Sequence, residues 1–163
     1  YMAVAGVPNP ARLHVVDACM AAIEMQEAVA RLKGQRDKLR LPSLELRVGI
    51  HTGPVIAGVV GSRKFTYDIW GDSVNLAARM EANGEPGRIN VSEPVYNHVK
   101  SLFDATPRGN IEVKNKAPVK MYFIDRIKPG LSADTEGRIP NDRFAAERER
   151  LATGFAGWGR KEG

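Results

Sequence analysis

The chain contains one cysteine, Cys19, among its 163 residues. No internal disulfide can form, and such usage fits a reducing compartment, so the expected location is cytoplasmic. No eighteen-residue apolar run occurs, which removes a membrane-spanning helix and any expected membrane contact from this segment. The opening Tyr1-Met2-Ala3-Val4-Ala5-Gly6 lacks the basic stretch of a signal peptide. Aromatic residues make up only 7% and are not interleaved with basic ones, so no nucleic-acid partner is expected. A formal charge of +5, from 24 Lys and Arg against 19 Asp and Glu, is scattered along the chain. It suits an anionic ligand without selecting one. What remains, 43% hydrophobic and 26% charged residues, describes one ordinary globular domain with a real core.

Local patterning supplies the elements. Residues 1–7 alternate weakly and read as a strand entering the Pro8-Asn9-Pro10 turn. Residues 13–32 carry Val16, Cys19, Met20, Ile23 and Ala30 near helical spacing, which makes Cys19 a small buried hydrophobe. A charged connector follows at 34–40, then a half-buried strand at 44–51. Thr52-Gly53-Pro54 joins this strand to the apolar run 55–60 as a hairpin or a sharp bend. After a polar tip at 61–64 the chain is extended to Trp70, and Ser73 caps or opens a helix over 74–82. Asn83-Gly84 closes that helix, with Gly84 suited to a left-handed cap. A short strand at 88–91 leads to a helix capped by Ser92, with Pro94 in its first turn. Strands at 111–114 and 119–127 flank a turn, Asn115-Lys116-Ala117-Pro118. The expected architecture is α+β, with helices packed on an antiparallel-rich sheet. The division is a domain over 1–128 and a polar tail or linker over 129–163, outside the core, with a thin helical patch at 141–151.

The most pointed chemistry lies between Tyr67 and Met80. Asp68 precedes the turn Trp70-Gly71-Asp72-Ser73, and Asn75 and Arg79 follow four residues apart, on one helix face about a turn apart. An amide beside a planar five-donor cation suits a ribose next to a phosphate. In isolation Arg79 would read as a solvated helix-face cation, and Asn75 as a surface amide. His14, His51 and His98 have no second ligand at helical or turn spacing, and Asp17, Asp37 and Asp72 have no neighbouring carboxylate on an adjacent strand pair, so none reads as a metal ligand.

Asp68-Ile69-Trp70-Gly71-Asp72-Ser73-Val74-Asn75-Leu76-Ala77-Ala78-Arg79-Met80 resembles the signature of the class III adenylate/guanylate cyclase catalytic domain. Arg47-Val48-Gly49-Ile50-His51-Thr52-Gly53-Pro54 and Ala57-Gly58-Val59-Val60-Gly61 are similar to its strand-turn-strand. Ile111-Glu112-Val113-Lys114-Asn115-Lys116 resembles a late family segment, with Asn115 where glycine is usual. Tyr1-Met2-Ala3-Val4-Ala5-Gly6-Val7-Pro8 is similar to the stretch after the family's second metal carboxylate. Together these cover residues 1–127.

The resemblance implies a ferredoxin-like α+β fold and cyclisation of ATP or GTP, by attack of the ribose 3′ oxygen on the α-phosphate with loss of pyrophosphate. It implies that Asn75 holds the ribose and Arg79 meets the α-phosphate oxygens. Asp68 and Ile69 would read the base and Lys114 the terminal phosphates. The guanylate-selective branch carries a smaller group, such as cysteine, at the position of Asp68, which leans the reading to ATP. Two Mg2+ or Mn2+ ions are implied, with carboxylate ligands and an adenine-reading lysine at family positions preceding Tyr1. The site would form between two domains of a head-to-tail homodimer. Two other readings stand beside it. A catalytically silent cyclase-like dimerisation or nucleotide-sensing module would lack the paired upstream aspartates. A generic ferredoxin-like interaction domain would leave Asp68, Asn75 and Arg79 unexplained.

Overall fold

The computed structural model describes residues 1–61, 65–113 and 116–154. Its largest unit is a four-stranded sheet in the order β1-β4-β6-β5. Strand β1 (Val48–Ile50) runs parallel to β4 (Ile89–Ser92), which is antiparallel to β6 (Lys116–Ile127), itself antiparallel to β5 (Phe103–Val113). All four residues of β4 are buried, as a central strand covered on both faces requires. At the far side of β1 no described strand continues the sheet, so one row of its backbone groups faces outward.

Helix α1 (His14–Lys38) and α3 (Glu93–Val99) cover one face. Val15, Val16, Cys19, Ala22 and Ile23 of α1 meet Ile89, Val91, Val95, Val99, Leu102, Phe103, Ile124 and Ile127 there. Helix α2 (Asp72–Ala82) lies on the other face, where Met80 packs with Ile111 and Met121. Helix α1 runs through Gly34 and ends six residues beyond the expected boundary at Leu32. One helical glycine costs only about 1 kcal/mol against alanine, too little to stop a helix.

Four expectations are corrected by pairing or packing that local patterns do not display. Residues 1–7 form no strand, because no described strand lies beside them to supply ladder partners. Of the two readings of 44–51 and 55–60, a hairpin or a sharp bend, the hairpin does not form. Strand β2 (Ile56–Val60) instead pairs with β3 (Thr66–Trp70) as a separate two-stranded ribbon, while β1 turns to the main sheet. Strand β5 begins eight residues before the expected Ile111. It absorbs Pro107 and Gly109 through register shifts, which an edge strand tolerates. Residues beyond 128 are not all outside the core. Helix α4 (Asp142–Gly154) buries Phe144 against Phe103, ring centroids 5.9 Å apart and nearly perpendicular. Asn141 caps this helix, its Oδ1 accepting from Phe144 N at 3.1 Å, and Arg148 reaches Asp17 of α1 at 2.7 Å.

The capping serines behave differently from expectation. Ser92 precedes α3, with Pro94 in the first turn, but its hydroxyl lies 2.8 Å from His51 Nδ1 and makes no capping bond. Gly84 does not adopt a left-handed conformation; Asn83 ends α2 instead. The polar tip at 62–64, Lys114 and Asn115 of the expected turn, and residues 155–163 lie outside the described residues.

Candidate active site

Strand β3 passes into α2 through Gly71 alone, at φ 133°. A Cβ-bearing residue is strained there, so glycine lets the chain turn from ribbon to helix within one residue. Ser73, expected as the cap or a first-turn residue, lies in the first turn of α2 and donates its hydroxyl to Pro54 O at 2.7 Å, tying that turn to the segment after β1. The Gly71 carbonyl accepts from Val74 N and Asn75 N, which starts the helix without a side-chain cap.

Asn75 and Arg79 then project from α2 into solvent, both exposed and one turn apart. Arg79 is only lightly tethered, with Nη1 donating to the Glu112 carbonyl of β5 at a long 3.5 Å. A guanidinium so held keeps most of its donors for an incoming anion. Asp68, on β3, is exposed, and its Oδ1 accepts from Ile69 N at 2.8 Å. That local bond fixes the carboxylate's orientation and leaves it lone pairs for a further donor. Ile69 is half-buried beside it. Lys114 lies outside the described residues, so its position relative to these four is not part of this geometry.

A cleft of about 480 Å3 opens next to the β3–α2 turn, lined by His51, Thr52, Trp70, Asp72, Ser73 and Leu76 among others. None of Asp68, Ile69, Asn75 or Arg79 lines it. These four stand on the surface. Local pattern could not assign the cleft-lining residues to one place, because their approach depends on the segment after β1 meeting the β3–α2 turn. Among the described residues no group of three His, Cys, Asp or Glu side chains is placed to hold a metal ion. Class III cyclases generally use divalent metal ions.

Cys19 is fully buried, and desolvation pushes its thiol up to about 12, so it stays protonated and unreactive at neutral pH. Asp134, in the bend between Leu131 and α4, is held down to about 2, chiefly by the Ser132 hydroxyl and then by the Ile139 amide.

The chain is thus an α+β domain that displays an amide and a guanidinium on the helix after a two-stranded ribbon. A family model described as "Adenylate and Guanylate cyclase catalytic domain" matches residues 1–126. This chain belongs to that family, and its fold is the α+β fold of class III cyclase domains. It is 44% identical over 124 residues to an adenylate cyclase of Mycobacterium tuberculosis, covering 76% of this chain and 27% of that protein. It is 38% identical over 147 residues to guanylate cyclase soluble subunit beta-2 of Rattus norvegicus, covering 85% of this chain and 21% of that one. The chain thus spans about a quarter of the curated relatives it matches. Among solved structures, the guanylate cyclase domain of RhGC from Catenaria anguillulae in complex with GTP superimposes with a TM-score of 0.68 at 31% identity, over 76% of this chain and 66% of that one. The adenylyl cyclase CyaB from P. aeruginosa gives 0.69 at 28%, over 81% and 67%. No described helix is long and apolar enough to cross a membrane.

Proposed function

We propose that this chain is the substrate-gripping part of a nucleotide cyclase that converts ATP, in preference to GTP, to a 3′,5′-cyclic nucleotide and pyrophosphate, a diffusible signal. The observation that carries the reading is the exposed Asn75–Arg79 pair, one turn apart on a helix anchored at both ends. Asn75 hydrogen-bonds the ribose and aligns its 3′ oxygen with the α-phosphate, an orientation effect. As that oxygen bonds to phosphorus and pyrophosphate departs, negative charge grows on the α-phosphate oxygens, where Arg79 donates. Asp68 accepts from the exocyclic amine of adenine, Ile69 lies against the base, and Lys114 meets the terminal phosphates. Nucleotide binding by relatives supports the substrate class: the RhGC domain holds GTP, and a rhodopsin-guanylyl cyclase core with converted specificity holds ATPalphaS.

A second surface completes the site. Asn75 and Arg79 have no described wall opposite them, and the β2–β3 ribbon beside them carries Ile56 at 72% exposure, with Val59, Tyr67 and Trp70 also exposed and Phe65, just before β3, at 74%. An apolar ribbon this open, next to a half-formed polar site, suits a second cyclase domain in a head-to-tail homodimer. Divalent metal supplied with that partner would activate the attacking hydroxyl and neutralise the phosphates.

Product analysis of the full-length protein with ATP and GTP, with and without manganese, tests the proposal. Cyclic AMP should form faster than cyclic GMP. No cyclic product from either nucleotide, with both bound, would favour a silent nucleotide-sensing module instead.

A further inference from the structure

Asn90 sits in the middle of β4 with none of its surface exposed, a position where an aliphatic residue is ordinary. Its Nδ2 donates to the Met80 carbonyl at 2.7 Å and lies 3.3 Å from Met121 Sδ, while its Oδ1 has no protein partner. A buried amide that satisfies only one side is costly to the fold on its own account. Its one strong bond goes to a particular place. Met80 O is among the last four carbonyls of α2, which have no partner within the helix, and it directly follows Arg79 in the chain.

Other contacts converge on the same turn. Gly49 of β1 lies so close that an added Cβ would stand 2.0 Å from Glu81 N and 2.6 Å from Met80 C. Arg47 pairs with Glu81 at 2.9 Å, and Met80 itself is completely buried. The first turn is tied separately through Ser73 to Pro54. The exposed face carrying Asn75 and Arg79 is therefore set by how α2 is seated on the sheet.

We infer that Asn90 is a positioning residue for the reaction: from a central strand it captures the Met80 carbonyl and so sets the rotation of α2 that aims the neighbouring Arg79 at the nucleotide. The inference rests on the cyclase reading above. It does not require Asn90 to touch substrate.

The test is a double-mutant cycle in the full-length enzyme, with kcat and KM measured well below the melting transition and normalised to folded protein. Asn90→Leu removes the donor at similar volume, and Asn90→Ser is the milder variant should the leucine chain not fold. Either should lower kcat at least fivefold with KM changed less than twofold. In an Arg79→Ala background the same change should lower kcat less than twofold further, because the group being aimed is gone. Val99→Ala, buried in the other face's core, should lower Tm while leaving kcat unchanged. If Asn90 variants lose Tm alone, or act equally with and without Arg79, the positioning role is overturned and the cyclase reading stands. If Arg79→Ala leaves turnover unchanged, the cyclase site and the role of Asn90 both fall.

Discussion

Strands β4 and β3 are of similar length and lie in the same domain, yet they end in opposite environments. Every residue of β4 is buried between helices on both sides, whereas β3 and its partner β2 are exposed along nearly their whole length. The faces of the main sheet are covered by its own chain: α1 and α3 cover one, α2 the other, and α4 adds Phe144. The ribbon is not finished by anything described here. Its isoleucines, valines and aromatics give β-propensity without burial, which keeps two strands paired only weakly on their own. Stability and chemistry are thus separated in space, with α2 the element shared between them.

The largest effect that would sharpen this contrast is on the stable side. Phe144→Ala should destabilise the fold by about 3–5 kcal/mol, the usual cost of a buried Phe-to-Ala cavity. Chemical denaturation should show it, while turnover per folded molecule stays the same. Arg79→Ala should do the reverse, raising the barrier by about 2.7–4 kcal/mol, roughly a hundred- to thousand-fold in rate, with an unchanged Tm. Equal loss of stability and turnover in either variant would break the separation. Charging this apolar surface with Ile56→Asp and Phe65→Asp should convert the assembly to monomers in sedimentation equilibrium, with activity falling at least tenfold, equivalent to about 1.4 kcal/mol. The unmodified protein should likewise lose specific activity on dilution, and concentration-independent activity would count against the dimer.

The smallest effects concern the segment beyond Lys128. Arg148→Ala breaks a partly exposed ion pair to Asp17 and should cost no more than about 1 kcal/mol. Asp134 has a pKa lowered from 3.8 to about 2, so its ionised form favours the folded state. That contribution is present above pH 4 and disappears as pH falls through about 2. Acid titration followed by the exchange of the Ile139 amide should show this bend loosening in that window, and Asp134→Ala should remove the pH dependence.

Much of the helix carrying the candidate site was legible from the chain because its information is local. Asn75 and Arg79 share a face by spacing alone, and Gly71 marks the turn before them. What was illegible depended on partners distant in sequence. Nothing in residues 55–60 says that they pair forward with 66–70 rather than back with 44–51. Pro107 and Gly109 weaken any strand pattern locally, and the edge position of β5 lets a strand pass through them. The polar composition after Lys128 hides Phe144, since one aromatic among charged residues carries no period. Asn90 was invisible for the same reason: a polar residue in a short strand discloses neither its burial nor the helix end it serves.

The three residues of β1 have a further consequence. Val48–Ile50 bonds to β4 on one side, and no described strand lies along its other side. Such an edge can recruit any extended peptide, including another molecule of the same protein. Self-association through that edge should accordingly rise with protein concentration, which light scattering would read.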